Sequence, residues 1–255
     1  MAFGLGDGLQ IRPTLASVFF GSVIPSGMPK KSPPKKVLIP IGDATEVMDT
    51  LYPIFRLAED GYEAVVAGPE ARLYHGVLHE IPPQAKDEPK WDITRESAAY
   101  HVRATVAFKD VKPDEYAGLF VSGGRAPEYL RYDEDLLRIT RHFFEKKKPV
   151  AMVCHGIEIL TAADVIKGKT LTTVAKCKLD VEQGGAKYVN QSHVVDGHLV
   201  SARTWHDNAP LMREFMRMLN EAGAPGVPAG DGVKGKVVLT RGEPMRRRLT
   251  AARRQ

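Results

Sequence analysis

Pro149-Val150-Ala151-Met152-Val153-Cys154-His155-Gly156 is an apolar run that stops at a cysteine, a histidine and a glycine. A short uninterrupted run of this kind is the form of a strand covered on both faces. Residues 156–166 continue at helical spacing and stop at Gly168. The reading is strand, sharp turn, helix, with Cys154 at the turn and Gly156 letting the backbone make it. That is the logic of a nucleophile elbow, which presents its side chain outward. Free N–H groups and the positive end of the helix favour a thiolate, so the Cys154 pKa is expected below the ordinary value of about 8.5. His155 could serve as base or orienting group. Cys177 has no such setting and reads as a core or surface thiol.

Upstream, Leu119-Phe120-Val121 runs into Ser122-Gly123-Gly124, and Val37-Leu38-Ile39-Pro40-Ile41 runs into Gly42-Asp43. Ala64-Val65-Val66-Ala67 is a further strand, and so is Leu199 to Ala202. Residues 46–60 carry apolar side chains at helical spacing (Val47, Leu51, Ile54, Phe55, Ala58) and close at Gly61. Residues 133–146 and 211–219 read as helices too. Tyr100, Val102, Ala104, Val106 and Phe108 alternate with less apolar neighbours, which predicts one half-buried strand. Strands alternating with helices imply an α/β domain with a mainly parallel sheet and helices on both faces. Active sites of such sheets lie beyond the carboxyl ends of the strands. The ends at Gly42-Asp43, Ser122-Gly124 and Cys154-Gly156 are expected to converge there. Gly123 and Gly124 could then offer N–H groups to an oxyanion beside the N–H of His155.

The prolines and lysines of residues 25–36 read as a linker, so residues 1–35 are expected to be a flexible extension. A Gly/Pro cluster ends the catalytic domain, placed at 36–223, and 224–255 is a basic tail. Residues 231–255 hold eight lysines and arginines against Asp231 and Glu243, which exceeds the whole chain's net charge of +5. Without aromatic interleaving or a nucleic-acid motif, this reads as a solvated tail rather than a nucleic-acid contact. Two cysteines are too few for a disulfide framework, which suits a reducing, cytoplasmic setting. No run of eighteen apolar residues argues for a membrane span. The eight histidines include His75 and His79 four apart, but no set has zinc-ligand spacing, so neither metal nor cofactor is expected.

The segments Ser122-Gly123-Gly124-Arg125-Ala126-Pro127-Glu128-Tyr129-Leu130 and Lys148 to Gly156, taken as a pair, resemble the ThiJ/PfpI superfamily, which has a class I glutamine-amidotransferase-like fold. The likeness runs from about Val37 to Leu219. Residues 177–185 are similar to the branch holding plant two-domain members with glyoxalase-like activity. The resemblance implies a flavodoxin-like three-layer sandwich with a nucleophile elbow at Cys154. It implies that Glu128, expected on a loop, reaches the cysteine of an adjacent subunit in a homo-oligomer. Counting back from Pro53, Asp49 takes the place of the family glutamate that hydrogen-bonds the cysteine. It is one methylene shorter, and Glu46, one turn earlier, could partly substitute. Arg203 and His206 follow a strand where the family lines its pocket.

Three functions follow as expectations. The first is an enzyme that forms a covalent thiol adduct with a small carbonyl compound, with Asp49 as general base and no cofactor. The second is peptide or amide hydrolysis by Cys154, His155 and Glu128. The third is a redox sensor or holdase in which Cys154 is oxidised to a sulfinic acid.

Overall fold

The computed structural model describes residues 35–80, 86, 93–222 and 240–241. The expected extension, apart from Lys35, and the basic tail, apart from two residues, lie outside the described residues. Seven strands form the main sheet: β1 (Lys36–Pro40), β3 (Glu63–Gly68), β6 (Val106–Ala107), β7 (Tyr116–Val121), β8 (Val150–Val153), β11 (His193–Asp196) and β12 (Leu199–Ala202). Their order is β11-β12-β8-β7-β1-β3-β6, and only the β11–β12 pair is antiparallel. Neighbouring side chains on a strand point to opposite faces. Leu38, Leu119, Val150 and Met152 therefore enter one core with Ile139, Phe143 and Leu160. Val37, Ile39, Phe120 and Ala151 enter the other with Ile54, Leu57, Leu211 and Phe215. The first core is closed by α2 (Ala126–Leu130), α3 (Glu134–Glu145) and α4 (Ile157–Ala162), and the second by α1 (Val47–Glu59) and α6 (Asn208–Glu221). This is the flavodoxin-like three-layer sandwich. Each fully buried large side chain stabilises it by roughly 1.5–3 kcal/mol, which explains why apolar runs and not alternation mark the central strands.

A second sheet, in the order β13-β5-β4-β2, is built from β2 (Thr45–Glu46), β4 (Leu73–Glu80), β5 (Arg95–Arg103) and β13 (Thr240–Arg241). It corrects the single strand expected at 100–108. The chain leaves β5 at Arg103. The N–H groups of Ala104 and Thr105 then donate to Arg72 and Val66, and Val106 pairs with Ala67 in the main sheet. Residues 108–110 turn into a 3-10 helix. β13 places two residues of the expected tail against Tyr100 and His101. A small pair, β9 (Thr170–Leu171) with β10 (Lys187–Tyr188), flanks α5 (Lys178–Gln183). Among the described residues no helix is long and apolar enough to cross a membrane.

Candidate active site

β8 delivers Cys154 to a 3-10 turn, Cys154–Gly156, that leads straight into α4. The strain of this elbow sits on Cys154 itself, whose φ is +57°. A side chain in that region costs of order 1–3 kcal/mol and persists only where its surroundings hold it. One such restraint is Thr173, whose hydroxyl donates to the Cys154 carbonyl. The turn does not depend on Gly156 for its dihedral angles, which are helical. Gly156 is needed for close approach, because a Cβ there would stand 2.9 Å from the Val121 carbonyl oxygen.

Asp49 sits in the first turn of α1, fully buried. Asn208 Nδ2, at the start of α6, donates to its Oδ1 at 3.2 Å. The Gly123 amide lies close enough to favour the ionised carboxyl, yet Oδ2 completes no hydrogen bond among the described residues. Oδ2 instead faces the thiol across the missing side chain of Gly123. A Cβ at Gly123 would lie 2.8 Å from Asp49 Oδ2, 3.1 Å from Cys154 Sγ and 2.4 Å from Cys154 Cβ. Gly124 has φ +85°, and a Cβ there would come within 2.4 Å of the backbone of Ala44 and Glu46. The amides of Gly124 and His155 both lie toward the sulfur.

Electrostatics reverse one expectation. Burial, and then the charge of Asp49, push the Cys154 thiol well above its usual range, against those two amides. A single 3-10 turn and a six-residue helix bring too little dipole to offset the loss of water. Burial, and then Glu46, also raise the Asp49 carboxyl. Two buried acidic groups, both pushed toward their protonated forms, thus lie on either side of Gly123. His155 Nδ1 stands 3.3 Å from Cys154 Sγ. Burial, with Lys176 and His79, lowers this imidazole to about 4, so at neutral pH it faces the sulfur uncharged.

The remaining expected residues fall elsewhere. Glu46 caps α1, its Oε2 accepting the Asp49 N–H at 2.7 Å, and it bears on Asp49 through charge. Glu128 lies on α2, not on a loop; its carboxylate is exposed and its charge is felt at Arg125 and Glu158. Arg203 is held by Asp207 at 2.8 Å and by Asn190 at 3.1 Å. Arg203 and His206 line a cleft of about 380 Å³ with Val174, Tyr188, Asn190 and Thr204. Cys154 is not on its wall, but Val174 adjoins the Thr173 that grips the cysteine carbonyl. Gly42 packs near Ala126 and Leu130 at the same end of the sheet, whereas Asp43 turns away to Arg72 and His75. Sequence reasoning missed Asn208, Thr173 and Ser122, whose hydroxyl donates to the Asp49 carbonyl at 3.2 Å. The strand end Ser122-Gly123-Gly124 carried a signal for the last; the other two come from remote segments.

Residues 35–218 match the model of the DJ-1/PfpI family. The chain belongs to that family. This DJ-1/PfpI protein is 36% identical over 184 residues to a protein of Thermococcus kodakarensis named deglycase TK1284, covering 72% of this chain and 99% of the relative. It is 33% identical over 184 residues to deglycase PfpI of Pyrococcus furiosus, with the same coverage. Among solved structures it is similar to a two-domain protein of Anabaena variabilis with DJ-1/ThiJ/PfpI-like and ferritin-like domains, at 26% identity and a TM-score of 0.58. That match covers 75% of this chain and 49% of the other. Drosophila melanogaster DJ-1beta shares the fold, with a TM-score of 0.59 at 16% identity over 74% of this chain and 96% of that one.

Proposed function

We propose that this DJ-1/PfpI protein is a cysteine-dependent enzyme of small reactive carbonyl compounds, of the glyoxalase III and deglycase kind. The observation that carries the reading is Asp49 Oδ2, buried, without a hydrogen-bond partner among the described residues and facing Cys154 Sγ across Gly123. Relatives at 33% and 36% identity that are named deglycases support it.

With a 2-oxoaldehyde, the Cys154 sulfur bonds to the aldehyde carbon while the C=O electron pair moves to oxygen. The thiol proton ends on that oxygen and leaves a hemithioacetal. The amides of Gly124 and His155, which lie toward the sulfur, donate to the developing oxyanion in this scheme. Asp49, as carboxylate, then takes the proton from the former aldehyde carbon and returns one to the neighbouring carbon. The ketone becomes an alcohol, and the aldehyde carbon becomes a thioester. Water cleaves the thioester to a 2-hydroxy acid and restores the thiol, so the net change is addition of one water. A carboxyl raised above its usual range is a stronger base for this step than an exposed aspartate. His155, uncharged, orients the sulfur through Nδ1.

The test is lactate formation from methylglyoxal by the full chain without added thiol, run beside fluorogenic peptides. Cys154→Ser should abolish turnover, and Asp49→Asn should lower kcat by about 10²-fold or more, the ordinary worth of a general base. Lactate formation undiminished in Cys154→Ser, or peptide cleavage without lactate, would overturn the proposal.

A further inference from the structure

Behind the elbow lies a group of side chains of which the proposed reaction uses only His155. His155, Glu158 and Cys177 each offer one ligand atom, and those atoms all lie within 4.8 Å of one another. His155 sits on the elbow turn, Glu158 in the first turn of α4, and Cys177 in the 3-10 turn Ala175–Cys177. The set joins the elbow to the 175–177 turn, where Cys177 Sγ donates to Glu158 Oε1 at 3.8 Å. Bond lengths of about 2.3 Å to sulfur and 2.1 Å to oxygen give a tetrahedral S···O edge of about 3.6 Å. That edge of the site is already formed.

A second observation points the same way. Glu158 is 6% exposed, and its Oε2 is buried without a hydrogen-bond partner among the described residues. Arg131 Nη1 stands 3.5 Å from it but is shared with Asp180 at 3.4 Å. One guanidinium thus serves two carboxylates, which leaves Glu158 Oε2 without a full partner among the described residues. A divalent ion bound by a thiolate, a carboxylate and a neutral imidazole would be neutral as a unit, which suits so buried a place.

We propose that His155, Glu158 and Cys177 form a binding site for a borderline divalent cation of the zinc class. Three protein ligands leave the fourth tetrahedral position for water or an exogenous donor. Nδ1 of His155 faces Cys154 Sγ, so Nε2 takes the ion. The ion would fix the ring that touches the sulfur and tie the elbow to the start of α5. A histidine-only search of the sequence overlooks this set, since its members stand at positions 155, 158 and 177. The site shares His155 with the reaction proposed above, but its test reads metal binding and not turnover.

Cobalt(II) added to the full, metal-stripped chain tests it. We expect one ion per chain, an intense thiolate-to-cobalt charge-transfer band and the d–d absorption of a tetrahedral site, with zinc displacing the signal. Cys177→Ser should remove the charge-transfer band, Glu158→Gln should weaken binding at least about tenfold, and Cys154→Ser should leave both intact. Zinc should also raise the Tm of the wild type and not that of Glu158→Gln, which keeps the test sound if Cys177→Ser folds poorly. A band that survives Cys177→Ser but vanishes in Cys154→Ser would place the metal on the nucleophile and overturn the proposal. So would the absence of any cobalt signal in the wild type.

Discussion

Substituting Gly123 by alanine separates the role of this residue in the site from its role in the fold. The new methyl carbon would start 2.4 Å from Cys154 Cβ, 2.8 Å from Asp49 Oδ2 and 3.1 Å from Cys154 Sγ. Non-bonded carbons rest about 3.5–4.0 Å apart, so β8 and α1 must part by about 1 Å at the point where thiol and carboxyl meet. Misplacing reacting groups by that much costs about 10²-fold in rate. The packing strain itself is of order 1–3 kcal/mol. Gly123→Ala should therefore fold, melt somewhat lower and lose about two decades of kcat on methylglyoxal. Gly124→Ala is the contrast. There a side chain at φ +85° would meet backbone atoms of Ala44 and Glu46 at 2.4 Å, so stability should suffer more than rate per folded molecule. Circular dichroism melts with active-site titration distinguish the two. If Gly123→Ala keeps kcat within threefold of the wild type, Gly123 is not what brings carboxyl and thiol together.

Three other outcomes are expected. Because the charge of Asp49 helps to hold the Cys154 thiol up, Asp49→Asn should shift the pH profile of Cys154 alkylation by iodoacetamide to lower pH; a profile that stays put would show that burial alone sets it. Asp43 is partly desolvated, which raises its carboxyl, but bonds from Arg72 and His75 prevail and hold it at about 2. Its folded pKa lies below its unfolded one, so its contribution is present above about pH 4 and lost as pH falls toward 2. The side chain is half exposed, so Asp43→Asn should cost under about 1 kcal/mol at pH 6 by urea titration and clearly less at pH 2, where the carboxyl is about half protonated. If sites are completed across subunits, mixing Cys154→Ser with Glu128→Ala chains should restore part of the activity. Tyr129 and Tyr132, 68% and 78% exposed beside Glu128, would then become buried at the contact, and no recovery despite proven subunit exchange would refute the arrangement.

Legibility followed burial. β1, β7 and β8 are covered on both faces, so Val37–Ile41, Leu119–Val121 and Val150–Val153 read as apolar runs and their order along the chain implied the parallel sheet. β4 was invisible because Leu73 to Glu80 lies in the side sheet, where the register slips between His75 and Val77 and breaks any simple period. Alternation at 100–108 continued through Ala104 although the chain changes sheets there, since side-chain period reports faces and not partners. At the site, the residues next to the elbow and strand ends were readable as motifs. Asp49 required the family resemblance; Asn208 opens α6 just before the apolar spacing that marks 211–219, and Thr173 follows a two-residue strand too short to show a period.

The misjudged thiol shows where local rules stop. Position at a helix start predicted an acidified cysteine, and the amides of Gly124 and His155 do pull that way. What the local rule omits is that β8 carries Cys154 into the interior, where only 5% of it is exposed and a carboxyl waits across Gly123. Desolvation scales with the whole fold, whereas capping scales with one turn, and here the whole fold wins. In the reaction proposed above, burial and Asp49 hold the thiol toward its protonated form, so the sulfur gives its proton to the substrate oxygen as it attacks and Asp49 moves the carbon-bound proton.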